Sequence, residues 1–159
     1  MEIRQADFSS PQLLNLLQQH LSGMQENSPP ESVYALDFSG LQAPDVSFWA
    51  VWEGEQLLGF GALKQLSNTH GEIKSMRTHH AHLRRGVSAF LLRHIIALAK
   101  QRRYQTLSLE TGSGKAFLPA IKLYRSFGFV SCGAFSDYQQ SSFNQFMALD
   151  LTAAQRCDR

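Results

Sequence analysis

The chain has 159 residues, 43% hydrophobic and 18% charged, enough to bury one sizeable core, so a single domain over 1–159 is expected. Its 15 Lys and Arg against 13 Asp and Glu leave a formal charge of +2, far short of a protein built to coat nucleic acid or an anionic membrane, so any basic function must be local. Two cysteines without metal-ligand spacing, no positive-then-apolar start and no apolar run near ~18 residues argue against a disulfide framework, a secretory signal and a membrane span, and the expectation is a soluble cytoplasmic protein.

In chain order, "MEIRQA" reads as a first strand. "SSPQLLNLLQQHLSGM" reads as an amphipathic helix, with serine and proline at its start, Leu13, Leu14, Leu17 and Leu21 on the apolar face and Gly23 near its end. "QENSPPES" is a loop by composition, and "SVYALDFSGLQAPD" holds one or two helical turns that Pro44 ends. "VSFWAVW" and "QLLGFGALKQL", joined by "EGE", form a β-hairpin in which Gly59 and Gly61 leave one face bare for a ligand or another backbone. Phe48, Trp49, Trp52 and Phe60 on that hairpin read as core packing.

"GEIKSMRTHH" alternates Ile73, Ser75 and Arg77 against Glu72, Lys74, Met76 and Thr78, a strand whose faces differ in chemistry. "HLRRGVSAFLLRHIIALAKQRR" opens with two arginines and a glycine, then becomes a helix from about Gly86 with Val87, Leu91, Ile95 and Leu98 at helical spacing. "TLSLET" is a fifth strand, "FLPAIKLYRSF" a helix with proline in its first turn, "GFVSCG" a short strand after the Gly128 break, and "SFNQFMALDL" the last strand. The order β, helices, β-hairpin, β, α, β, α, β, β is that of an α/β (α+β) chain with a mixed sheet and helices on its faces.

The junction "RTHHAHLRRGVSA" carries the clearest chemistry. Glycine permits a tight turn, the free N–H groups of the first helical turn converge on one spot, and the helix dipole draws an anion such as a pyrophosphate. The alternative is a solvated charged helix start, although arginine is the wrong sign for a first turn. Neither G-x-x-x-x-G-K-[ST] nor G-x-G-x-x-G after the first strand is present, which disfavours nucleotide triphosphate and dinucleotide enzymes. His79, His80 and His82 lack a fixed i, i+4 pair with a third ligand, so no metal site is expected. Cys132, in a short late strand, reads as core, and Cys157 lies in a polar tail.

Two motifs together resemble the GNAT superfamily of acyl-CoA-dependent N-acetyltransferases: "LRRGVS" on its Q/R-x-x-G-x-G/A loop and "AIKLYRSFGFVSCG" on its A-x-x-L-Y-x-x-x-G-F helix and strand. The match covers most of the chain from about Trp49. The resemblance implies a mainly antiparallel sheet of six to seven strands whose fourth and fifth strands splay to admit acetyl-CoA. It also implies that the pantetheine arm pairs with the backbone of Met76, Arg77 and Thr78, and that the pyrophosphate meets the loop and helix start at Leu83, Arg84, Arg85, Gly86, Val87, Ser88 and Ala89. The chain departs from the pattern at Leu83, at Ser88 and at Phe117, where many members carry asparagine.

Acyl transfer to an amine needs a base, a holder for the oxyanion and an acid for the thiolate. By resemblance Tyr124 is the acid and the Met76 N–H the oxyanion donor. Glu72 stands fourteen positions before Gly86, where the resemblance implies a catalytic glutamate in members that use one on this strand, and is the base candidate, acting directly or through water, with an exposed strand carboxylate or an ion pair to Lys74 or Arg77 as the alternative. Glu110 ends the fifth strand on the substrate side, where it orients an amine or is merely solvated. The expected activity is transfer of acetyl from acetyl-CoA to a primary amine by direct attack in a ternary complex. The rivals are a non-catalytic acyl-CoA-binding or sensor domain and a nucleic-acid module using "HLRRG" and "KQRRY", the second disfavoured by the charge balance. The acceptor is not legible: "QENSPPESVYALDFSGLQAPD" and "AFSDYQQSS" offer no code, and Asp37, Asp45 and Asp137 read as turn formers. A homodimer is compatible with family habit.

Overall fold

The computed structural model describes residues 1–30 and 36–152. Seven strands form one sheet in the order β1-β2-β3-β4-β5-β7-β6: β1 (Glu2–Gln5), β2 (Val46–Glu53), β3 (Gln56–Gln65), β4 (His70–Thr78), β5 (Thr106–Thr111), β6 (Val130–Cys132) and β7 (Gln145–Asp150). Every neighbouring pair is antiparallel except β4 and β5. The helices are α1 (Pro11–Asn27), α2 (Phe38–Leu41), α3 (Val87–Gln101) and α4 (Leu118–Ser126). The mixed, mainly antiparallel sheet with flanking helices is the expected architecture. Among the described residues no helix is long and apolar enough to cross a membrane.

Two clusters of buried side chains sit on opposite sides of the sheet. One joins Val87, Leu91, Leu92 and Ile95 of α3 to Ile73, Leu107, Leu109 and Met147; the other joins Leu13, Leu16 and Leu17 of α1 to Phe48, Ala50, Phe60 and Ala62. Leu14, expected on the apolar face of α1, is exposed, and Leu16 and His20 are buried in its stead. The helix also runs through Gly23 to Asn27, so the first residues expected in a loop are helical. A Cβ at Gly23 would stand 3.3 Å from the Arg77 guanidinium, so the small residue here makes room for a side chain from β4 rather than ending the helix. Asp37 caps α2 by accepting the Gly40 N–H at 2.8 Å, as a turn former should. Residues 31–35 of the expected loop, and the tail with Cys157, lie outside the described residues.

The strand that reads as a plain alternation, β4, is not one. Ser75 has φ 57, and the register with β3 shifts between Phe60, opposite Arg77, and Ala62, opposite Lys74. Beyond this bulge the faces exchange, so Met76 joins Ile73 against α3 while Arg77 joins Lys74 on the α1 side. The two bare positions on β3 serve this bulge. A Cβ at Gly59 would come 2.6 Å from the Arg77 carbonyl oxygen, and one at Gly61 would collide with the Met76 sulfur. They admit another backbone and another side chain, one of the two roles expected from the sequence.

The β4–β5 pairing extends only from His70 opposite Thr106 to Ile73 opposite Leu109. His70 Nε2 and Ser108 Oγ, 2.6 Å apart, pin the strands together at this end. Past Ile73 the strands part, which is the splay that the resemblance implies. Gly59→Ala is expected to lower unfolding free energy by about 1–3 kcal/mol, as measured by urea denaturation; an unchanged midpoint would show that β4 does not need this close approach.

Candidate active site

The gap between β4 and β5 opens into a cleft of about 710 Å³. The residues singled out from the sequence line it: Glu72, Met76, Arg77 and Thr78 from β4, Leu83, Arg84, Gly86, Val87, Ser88 and Ala89 from the loop and α3, and Tyr124 from α4. Arg85 is the exception. Its guanidinium donates to Glu53 Oε1 at 2.8 Å and lies 2.9 Å from His82 Nδ1, so the side chain is tied to the β2–β3 hairpin instead of the cleft.

One end of the cleft is the start of α3. Gly86 is its N-cap with φ 80, no side chain caps it, and the first intrahelical bond runs from the Phe90 N–H to the Gly86 carbonyl. The N–H groups of Val87, Ser88 and Ala89 therefore lack intrahelical acceptors, and the positive end of the helix dipole is not offset by an acidic residue in the first turn. Arg84, which borders this end, is also left-handed at φ 63, a conformation that costs a non-glycine residue energy and turns the backbone sharply. Ser88, where the motif has Gly or Ala, does not block the site: its hydroxyl meets Thr78 Oγ1 at 2.6 Å and ties α3 to the end of β4. Phe117 is buried edge-on to Phe143, with ring centroids 5.6 Å apart, and contributes apolar wall.

Where the strands separate, the two faces of the sheet carry different chemistry. On the α3 and α4 face, Tyr124 is buried beside Phe129, and that burial raises its phenol above the ordinary tyrosine value, so it stays protonated at neutral pH. On the opposite face Glu72, 2% exposed, accepts hydrogen bonds from the Tyr138 hydroxyl and from Lys74 Nζ at 3.4 Å. Lys74 also donates to the Tyr138 hydroxyl at 2.6 Å. Glu110 lines the same cleft half-buried. Its burial lifts the carboxyl to about 7, with neighbouring Lys74 pulling it down and Glu72 pushing it up.

The sequence reading left Glu110 between orienting an amine and mere solvation; it is partly buried and lines the cleft. Two features escaped that reading. Tyr138 reaches Glu72 from the loop before β7, a contact across 66 positions that no local spacing signals. His20 and Met24 of α1 border the cleft although they read only as part of an amphipathic helix. Cys132 corrects the expectation of a core residue: β6 is an exposed edge strand and the thiol is exposed on it. The histidines at 79, 80 and 82 are engaged locally, His79 stacking on His80 with centroids 4.4 Å apart and accepting from the Ala81 N–H.

Residues 11–129 match the model of the acetyltransferase (GNAT) family. The chain is 49% identical over 151 residues to a Bacillus subtilis (strain 168) protein named uncharacterized N-acetyltransferase YsnE, covering 95% of this chain and 100% of that one. It is 48% identical over 149 residues to the Escherichia coli (strain K12) protein named uncharacterized N-acetyltransferase YedL, covering 94% of each. The crystal structure of an aminoglycoside 6'-N-acetyltransferase complexed with coenzyme A superposes with a TM-score of 0.71 at 16% identity, over 95% of this chain and 97% of that one, a likeness of fold.

The hydroxyl bridge between β4 and α3 is expected to behave as a unit. Thr78→Val and Ser88→Ala should each cost about 0.5–1.5 kcal/mol, and the double variant should lose less than the two combined when unfolding is followed by denaturant. Strict additivity would show that the two hydroxyls do not support each other.

Proposed function

The chain belongs to the acetyltransferase (GNAT) family, and on that premise we propose that it transfers an acetyl group from acetyl-CoA to the primary amine of an acceptor by direct attack within a ternary complex. The observation that carries this reading is a single cleft that joins an uncapped helix start to a protonated phenol on one sheet face and a pair of carboxylates on the other. The coenzyme A complex of the aminoglycoside enzyme with the same fold supports an acyl-CoA as donor.

The residues present fit that donor. The first-turn N–H groups of α3 and the Arg84 guanidinium suit a pyrophosphate, and the unpaired edge of β4 from Lys74 to Thr78 offers backbone groups to an amide-bearing arm. The turn at Ser75 lies next to the Met76 N–H, which is assigned to the carbonyl oxygen of the acetyl group as negative charge develops there.

An amine reaches neutral solution as ammonium, so a proton must leave before its nitrogen can attack. Glu110 takes this proton: a carboxylate titrating at about 7 is substantially ionised at neutral pH yet basic enough to accept. Glu72, the base expected from spacing, already accepts from Tyr138 and Lys74 on one oxygen and acts as a positioning residue that keeps Lys74 beside Glu110. As the carbon–sulfur bond breaks, Tyr124 donates its phenolic proton to the departing thiolate. That donation returns a neutral thiol, and the extra proton still carried by the newly attached nitrogen passes to the phenolate, which leaves the neutral amide and Tyr124 protonated again.

In thiol-release assays with acetyl-CoA and a panel of primary amines, kcat/KM should fall as pH drops through about 7, where Glu110 becomes protonated. Glu110→Gln should remove that limb while the amine's own titration at higher pH persists. Glu72→Gln should keep the limb and move it to lower pH, because a negative neighbour that raises the Glu110 value has gone. Loss of the limb in Glu72→Gln and its survival in Glu110→Gln would return the base role to Glu72. Tyr124→Phe should lower turnover about a hundredfold or more while acetyl-CoA still binds; undiminished thiol release at every pH would remove Tyr124 from the chemistry. Acetyl-CoA binding with no thiol release across a broad amine panel would overturn the transferase reading.

A further inference from the structure

The acceptor side of the cleft contains a cation that the chemistry above does not use. Arg77 follows the β4 bulge, and its guanidinium lies against α1 at Gly23, 3.3 Å from where a Cβ would stand. It borders the same cleft as Glu72 and Glu110, with Met24 and His20 of α1 beside it. Among the described residues the ion pairs are Arg4 with Glu2, Lys74 with Glu72 and Arg85 with Glu53, so no described carboxylate neutralises Arg77. His20, 6% exposed, adds no second charge beside it: burial, with Arg77 adding to it, holds the imidazole neutral down to about 4.

We propose that Arg77 is the acceptor's anion anchor: the substrate class is a primary amine that also carries a carboxylate, an amino-acid-type acceptor, with its amine toward Glu110 and its carboxylate on the Arg77 guanidinium. The proposal rests on the transferase reading and names its substrate. A guanidinium fork matches a carboxylate with two parallel hydrogen bonds, and placing it against a bare glycine face fixes its direction. On the α1 side the cleft wall therefore carries carboxylates at Glu72 and Glu110 and, farther along β4, the Arg77 cation. A zwitterion complements both charges, whereas a polycation would meet Arg77 with like charge. Lys74 is not an equivalent anchor, since it is already held between Glu72 and the Tyr138 hydroxyl. Across the Ser75 bulge Lys74 and Arg77 stand opposite Ala62 and Phe60, only two β3 positions apart and so roughly 7 Å along the strand, and acceptors of different amine-to-carboxylate spacing must be compared.

The test uses the full chain, acetyl-CoA and matched pairs that differ only in the carboxylate: leucine with 3-methylbutylamine, phenylalanine with 2-phenylethylamine, 4-aminobutyrate with propylamine and 6-aminohexanoate with pentylamine. In at least one pair the carboxylated member should have a kcat/KM about ten- to a hundredfold higher. Arg77→Gln should bring that ratio close to one by raising KM for the carboxylated member, and Arg77→Lys, which keeps charge but not the fork, should retain part of it. The thermal midpoint of each variant reports whether it folds. Equal use of both members in every pair by the unaltered chain, or an unchanged ratio in Arg77→Gln, would overturn the proposal. If acetyl-CoA binds and no amine releases thiol, the transferase reading fails and the anchor is judged by calorimetry on CoA-loaded protein. Preferential binding of the amino acids that Arg77→Gln abolishes would sustain it; equal or absent binding would overturn it.

Discussion

Everything at the site depends on two strands that are paired for four residues and then are not. Parallel pairing of β4 with β5 stops at Ile73 and Leu109. The main-chain groups that continue along β4 are thereby left without the partner strand that a sheet interior would normally supply. Three local features enforce the parting. The His70–Ser108 contact pins the root, the Ser75 bulge rotates β4, and glycines 59 and 61 on β3 accept what the rotation moves toward them. A side chain at either glycine would push β4 back, so the cleft is specified as much by two absent side chains as by any present one.

The parting also lets two environments meet that a closed sheet would keep apart. From the α3 and α4 side comes an apolar surrounding that keeps a phenol neutral. From the α1 side comes a polar group of two carboxylates, an ammonium and a tyrosine hydroxyl, in which Lys74 and Glu72 act in opposite directions on Glu110. Desolvation sets the direction of the shift at both Tyr124 and Glu110: each is a neutral acid when protonated, so removing water favours the protonated form. They differ in degree and in company. Burial raises Tyr124, whereas Glu110 lies between a cation and an anion that pull in opposite directions.

The elements were legible because each carries punctuation that acts locally. Ser10 and Pro11 start α1, the turn at Gly54 joins β2 to β3, Gly86 opens α3 and Gly128 ends α4. The end of the cleft formed by the loop and the start of α3 was legible for the same reason, since its residues are contiguous along the chain. What sequence spacing missed is non-local. The exchange of faces at Ser75 comes from pairing with β3, and the Glu72–Tyr138 contact needs the loop before β7 to fold back over the sheet. The state of Glu110 depends on how much water its neighbours exclude, which no window around "TLSLET" contains. Arg85 shows the converse: it reads as an equal partner of Arg84, yet a carboxylate thirty-two positions earlier takes its side chain away.

The connection between β4 and β5 has a consequence for how the molecule comes to be folded. Strands β1 to β4 form one antiparallel run and β5, β7 and β6 another, and among the described residues the sheet seam between them is the short parallel pair. A parallel pair cannot be closed by a tight turn. Here the linking segment is residues 79–105, which contains the loop before Gly86 and all of α3. Joining the two halves requires ordering that whole segment first, so loop-closure entropy places the seam among the slower steps of assembly. The segment proposed to hold the acyl donor is thus also the clasp that joins the two halves, and damage to it is expected to slow maturation as well as to weaken binding.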